Sequence, residues 1–245
     1  MSTESEAFLR KCERPLPPTK NGIIPTKLYS RNKNVADENN AELDKLPRAA
    51  QHCSSIDYVV QEPFGSSRPV MKGEYGRNNG ILSSKEQVLM RNDFWDQCQA
   101  QSSLELKVGA QVMLIQNFTV GEGEKSLANG SRGKVIEITD EVPKGMVVME
   151  KAVHPEGKPL DMPYAIVEFL NGEKVAIGAC TFDCTLSGVG VCIRIAIPLK
   201  LAWAISIHKS QGMTLDYVKC DLKGVSILLI QQELYIGHGM NDVFF

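Results

Sequence analysis

Between residues 104 and 177 the hydrophobic period is two, and that alternation limits the possible folds more than any other feature of the chain. Leu104-Glu105-Leu106-Lys107-Val108 alternates, Gly109 turns, and Val112-Met113-Leu114-Ile115 is a buried apolar run. Gly133 to Ile138, Met146 to Met149 and Tyr164 to Leu170 follow, and Asn171-Gly172 is a hairpin turn into Glu173 to Ile177. Short strands broken by glycine turns predict a small β-barrel.

The flanks read differently. Ile23 to Tyr29 has the composition of a short strand, which Pro25 confines to a sheet edge or a strand start. Asn34 can cap a helix over 35–46, with Val35, Leu43 and Leu46 on one side and Pro47 ending it. Residues 48–80 have little periodic pattern and much Gly, Ser, Pro and Asn, so a long surface excursion is expected there. Ser83 and Glu86 spell a capping box, opening a helix to about Cys98 that buries Val88, Leu89, Trp95 and Cys98. Ile195 to Ile197 reads as a strand, Pro198 as the first turn of a helix from Leu199 to Ser210, and Asp216 to Leu222 as another strand.

Charge and cysteine content exclude several classes. Lys and Arg number 27 against 29 Asp and Glu, a net charge of −2, which rules out a uniformly basic, histone-like binder of nucleic acid. No apolar run reaches the eighteen or so residues of a membrane-spanning helix, so no membrane partner is expected. The seven cysteines are odd in number and scattered, and the first ten residues lack the apolar core of a secretory signal. A reduced, intracellular setting follows. Cys180, Cys184 and Cys192, with His154 or His208, match no recognised zinc module; small buried residues on β-structure is the plainer reading, and no metal ligand is assigned.

A phosphate-cradling loop is also missing. Gly121-Glu122-Gly123-Glu124-Lys125-Ser126 puts Glu where the second glycine belongs, and Gly133-Lys134 is followed by Val135 with Ala128 at the first glycine position. No nucleophile elbow is present either. No residue is assigned a catalytic role.

The segment Ala202 to Leu215 has a different character. Ser206, His208, Lys209, Ser210 and Gln211 can donate to phosphate or sugar oxygens, and Gly212 permits close backbone approach. Five basic residues surround it (Arg194, Lys200, Lys209, Lys219 and Lys223) against Asp216 and Asp221. On composition an equal alternative stands: a helix C-terminus whose dipole His208 and Lys209 answer and Gly212 caps.

Here the residues acquire a family. Leu199-Lys200-Leu201-Ala202-Trp203-Ala204-Ile205-Ser206-Ile207-His208-Lys209-Ser210-Gln211-Gly212-Met213-Thr214-Leu215-Asp216 resembles motif V of the Pif-type (petite integration frequency) helicases, RecD relatives in superfamily one. Leu106 to Ile115 and Ala128 to Gly133 resemble the segments entering that family's inserted barrel, and Pro25 to Tyr29 with Val35 and Asn39 resembles its motif IV. The four matches keep the family order over residues 22–222.

The resemblance implies an α/β fold: part of a second RecA-like domain, interrupted by a small inserted β-barrel. Residues 1–103 are then its first part, 104–193 the barrel, 194–223 the return with motif V, and 224–245 a divergent tail. It implies DNA contacts at Ser206, His208, Lys209 and Ser210, weaker ones at Thr26 and Asn39, and nucleotide-cleft positions at Gln211 and Gly212. Arg31 could face phosphate, but the family does not require arginine there.

Family members are ATP- and magnesium-dependent motors that move 5′→3′ on single-stranded DNA and open forks and G-quadruplexes in repair, recombination and telomere maintenance, in nucleus or mitochondrion. The family's first RecA-like domain has no counterpart here, and after Gly224 no arginine stands for the one that reaches the γ-phosphate. The expectation is a C-terminal fragment with no tight ATP or magnesium site of its own and no ATPase or unwinding activity alone. A non-catalytic single-strand binder and a non-functional truncated gene model are the alternatives.

Overall fold

Pro25 stands immediately before a strand, Thr26–Tyr29, that lies inside a sheet rather than at its edge. With no N–H of its own, proline is tolerated at that entry point. The computed structural model describes residues 22–29, 32–65, 67–73, 82–120, 125–149, 152–210, 218–220 and 243–244. Thr26–Tyr29 pairs in parallel with Ala204–Ser206 on one side and Val218–Cys220 on the other, and Val243–Phe244 extends the same parallel sheet. Helix Asn32–Asp44 follows the first strand, beginning two residues before the expected cap at Asn34, and buries Asn39 and Leu43.

Among the described residues the β-rich centre forms four further antiparallel or mixed sheets, one of them the two-stranded pair Phe118–Val120 and Lys125–Leu127. A six-stranded sheet runs in the order Val147–Met149, Lys174–Ile177, Tyr164–Phe169, Arg132–Thr139, Gln111–Leu114, Leu199–Leu201. Its Asn171-Gly172 turn is as expected: Gly172 has φ 87°, and Asn171 Oδ1 accepts from the Glu173 amide at 3.0 Å. Gly133 lies flat against a neighbour, since a Cβ there would sit 2.8 Å from the Glu168 carbonyl oxygen. Among the described residues the sheet's two end strands do not pair, so the structure shows an open sheet where a closed barrel is expected over 104–193.

The reason lies in strands borrowed across the expected boundaries. Ser103–Leu106 leaves the sheet to pair with Gln51–Ser54. Cys180–Leu186 and Gly190–Ala196 form a separate four-stranded sheet with Ile56–Gln61 and Val70–Met71. The described part of the expected excursion 48–80, residues 48–65 and 67–73, is therefore structural: Val59 is fully buried and Tyr58 nearly so, on opposite faces of an inner strand, while 66 and 74–80 lie outside the described residues. An inner strand covered on both faces shows no alternation, which is why the period there is weak.

The capping box forms as spelled. Ser83 Oγ accepts from the Glu86 amide and Glu86 Oε2 from the Ser83 amide, opening helix Ser84–Met90. The helix breaks at Arg91 and resumes for one turn, Phe94–Gln97, so it does not run unbroken to Cys98. Leu89 and Trp95 are buried against Val59 and Cys192, while Val88 is exposed.

Residues 199–210 depart most from expectation. A helix is predicted, but the chain forms strand Leu199–Leu201 in the six-stranded sheet, strand Ala204–Ser206 in the parallel sheet, and only one helical turn, Ile207–Ser210. A short apolar run does not distinguish a buried helix from a buried strand by period alone. Here Leu28, Met113, Ile115, Ala202 and Ile205 share one core between the two sheets, and each half of the run completes one of them.

Candidate nucleic-acid interface

The strand Ala204–Ser206 is anchored by hydrogen bonds at Ala202, Trp203 and Ala204. Ala202 O accepts the Thr26 hydroxyl at 2.8 Å and Gln111 Nε2 at 2.9 Å. Trp203 O accepts the Lys27 amide at 2.8 Å. Ala204 is bracketed by Asn39, whose Nδ2 donates to Ala204 O and whose Oδ1 accepts the Ala204 amide, both at 2.9 Å. The large majority of buried polar groups are hydrogen-bonded in this way.

These contacts give Thr26 and Asn39 a place that their motif does not announce. Thr26 is fully buried and Asn39 8% exposed, and their polar atoms face the strand rather than solvent. Both hold the segment that carries Ser206. The register sets Tyr29 opposite Ser206, so the two parallel strands end level with each other.

Ser206 is itself only 3% exposed and lines a cleft of about 560 Å³. It is lined by Asn32 and Asn40 of helix Asn32–Asp44, by Gln99, Gln101 and Ser102 of the segment 95–103, and by Lys200. Ser210 is half-buried and donates to the Ile207 carbonyl at 2.6 Å, closing the helical turn. His208 and Lys209 have described backbone within that turn. Gln211, Gly212 and Arg31 lie outside the described residues, as do Lys223, Asp216 and the tail from Gly224 apart from Val243–Phe244.

Arg194, counted above among the basic residues around the segment, is not free to meet phosphate. It is 4% exposed, and its Nε and Nη2 donate to both Asp57 carboxylate oxygens at 2.9 and 2.7 Å. Its Nη1 donates to the carbonyls of Ala100, at 2.9 Å, and Trp95, at 3.4 Å, on the cleft wall. The hydrogen bonds to Asp57 raise the guanidinium pKa above its usual value. Lys72 lies 4.2 Å from the centre of the Trp95 ring, and burial lowers its pKa. An arginine inside the apolar alternation Cys192-Ile193-Arg194-Ile195 is the signal for this pair in the sequence.

Cys180, Cys184 and Cys192 are free thiols, and among the described residues no group of three or more His, Cys, Asp or Glu side chains is arranged to hold a metal. Among the same residues no helix is long and apolar enough to cross a membrane.

Comparison with known proteins agrees with the arrangement. The family described as "DNA helicase Pif1, 2B domain" matches residues 91–138. The human ATP-dependent DNA helicase PIF1 is 32% identical over 203 residues, covering 83% of this chain and 24% of the human protein. The mouse ATP-dependent DNA helicase PIF1 is 39% identical over 126 residues, or 51% of this chain and 16% of that protein. Among solved structures, Pif1 helicase from Candida albicans superposes with a TM-score of 0.60 at 26% identity, covering 99% of this chain and 49% of that one. A double mutant of Pif1 helicase from Bacteroides shares the fold at TM-score 0.54 and 16% identity, covering 99% of this chain and 44% of that one. The chain belongs to the Pif-type helicases and corresponds to a C-terminal portion of such an enzyme. It spans about a quarter of the length of the human relative.

Proposed function

We propose that this chain supplies the strand-gripping part, and one side of the ATP cleft, of an ATP-dependent 5′→3′ DNA helicase. One observation carries the reading. The parallel strands Thr26–Tyr29 and Ala204–Ser206 end level, so the segment beginning at Ser206 leaves the sheet at the carboxyl ends of its strands. Ligands of open α/β sheets bind in the crevice outside those ends. The parallel sheet is then part of a second RecA-like domain, and the six-stranded sheet carries its insertion.

In this arrangement Ser206, His208, Lys209 and Ser210 meet the backbone of single-stranded DNA, and Gln211 and Gly212 face the nucleotide. Thr26 and Asn39 act on DNA through the strand they hold. ATP and magnesium belong to the intact enzyme, where they supply the driving force; this chain's residues bind and orient. Forked and G-quadruplex substrates, roles in repair, recombination and telomere maintenance, and a nuclear or mitochondrial location follow from the same family reading.

Fluorescence anisotropy of a labelled oligothymidylate with the 245-residue chain tests this. Binding should weaken steeply with salt, and Lys209→Ala should lower affinity and reduce the salt slope by about 0.7, the value of one lost contact to a single strand. A Lys209→Ala variant with wild-type affinity and slope sinks the proposal.

A further inference from the structure

A single carboxamide joins the six-stranded sheet to both strands of the candidate interface. Gln111 is 3% exposed in the otherwise apolar run Val112-Met113-Leu114 and its neighbours. Its Oε1 accepts the Ile24 amide at 2.9 Å, and its Nε2 donates to Ile24 O at 2.8 Å and to Ala202 O at 2.9 Å. Its backbone carbonyl accepts the Ala202 amide at 2.9 Å. Both amide hydrogens and the oxygen are therefore engaged. On the adjoining strand Arg132, 2% exposed, donates to Thr26 Oγ1 at 3.3 Å, and that hydroxyl donates to the same Ala202 carbonyl.

The geometry points to Gln111 as a positioning residue for the DNA grip. Through Ile24 it sets the entry to strand Thr26–Tyr29, and through Ala202 the entry to strand Ala204–Ser206. The two strand ends that define the crevice thus keep their level relative to the inserted sheet. A shift of that sheet is passed to Ser206 along three residues of paired backbone. No other common side chain replaces it: methionine lacks both polarities, asparagine is one methylene short, and an ionised glutamate turns a negative charge toward two carbonyl oxygens. The inference rests on the proposal that the segment from Ser206 grips DNA.

The discriminating variant is Gln111→Glu. Its carboxylate can accept from Ile24 but cannot donate, whereas its protonated form regains one donor, and burial raises its pKa toward that form. At about pH 7.5 the variant loses both donated hydrogen bonds and should bind oligothymidylate at least about tenfold more weakly than wild type, one typical buried hydrogen bond being worth about that much. The ratio to wild type at equal pH should narrow below about pH 6. Hydrogen exchange of the Ala202–Ser206 amides should be faster in the variant at the higher pH and recover with the same pH dependence.

Wild-type exchange rates at Ala202–Ser206 at both pH values overturn the inference. So does acceleration spread evenly over the chain, which marks loss of stability without local positioning. If wild-type protein binds no oligonucleotide, the helicase reading fails while the exchange measurement still decides the role of Gln111. Should Gln111→Glu not fold, Gln111→Met, which keeps the length and adds no charge, must show the same local acceleration.

Discussion

Replacing Arg194 by methionine leaves the Asp57 carboxylate facing an apolar strand pair. The two residues lie directly opposite each other on strands Gly190–Ala196 and Ile56–Gln61, with side chains 5% and 11% exposed. Removing one partner of a buried ion pair costs about 3–5 kcal/mol. Asp57 retains the Ser55 hydroxyl at 2.7 Å, which places the cost toward the low end, about 3 kcal/mol. At this size that corresponds to a fall of about 6–12 °C in melting temperature.

Circular dichroism melts and urea titrations of wild type, Arg194→Met, Asp57→Leu and the double variant measure it. The double variant removes both charges and should be less destabilised than the sum of the singles by about 2 kcal/mol or more. Because the pair is buried, raising salt to about 0.5 M should change these values little. Arg194→Met within about 1 kcal/mol of wild type, or additive singles, refutes the reasoning.

Gly190→Ala should cost about 2–3 kcal/mol in urea titrations, because its Cβ would lie 2.3 Å from Val60 O and 2.8 Å from Gln61 Cα on the paired strand; an unchanged midpoint contradicts the packing. Glu38 accepts from Lys27 and Tyr29, and the Lys27 hydrogen bond chiefly lowers its pKa below 4.5 while raising that of Lys27 above 10.5. The pair's contribution, about 0.5 kcal/mol, is present between those two values and lost as pH falls through the folded pKa of Glu38 or rises through that of Lys27. Glu38→Gln should flatten both limbs of stability against pH, and an unaltered acid limb counts against it. Burial pushes the Cys53 and Cys192 thiols up to about 11, so native iodoacetamide labelling near pH 8 should spare both until denaturant is added. Rapid native modification of either, located by mass spectrometry, would show the site open.

What was legible in the sequence was local. The Ser83–Glu86 box and the Asn171-Gly172 turn form as spelled because each is settled by backbone groups a few residues apart. Pro25 marks a strand start for the same reason. The order of motifs identifies the family because it needs only residue types and spacing.

Pairing over long separations was not legible. Ile56–Gln61 reads as a loop until Gly190–Ala196 lies beside it, and Leu199–Leu201 reads as helix until Gln111–Leu114 offers an open edge. Thr26 and Asn39 carry the chemistry of DNA contacts, yet each finds an internal partner on a segment more than 160 residues away.

The sequence alone determined which family this chain joins, where its short turns and caps fall, and which segment is dense in side-chain hydrogen-bond donors. Only the tertiary structure decided that the β-rich centre is an open sheet sharing strands with its surroundings, that Arg194 is held by Asp57, and that Gln111 ties the six-stranded sheet to the residue leading into strand Ala204–Ser206. Caps and turns answer to near neighbours along the chain. A buried charge or carboxamide answers to whichever polar group the fold brings within about 3 Å, and that partner is chosen by packing.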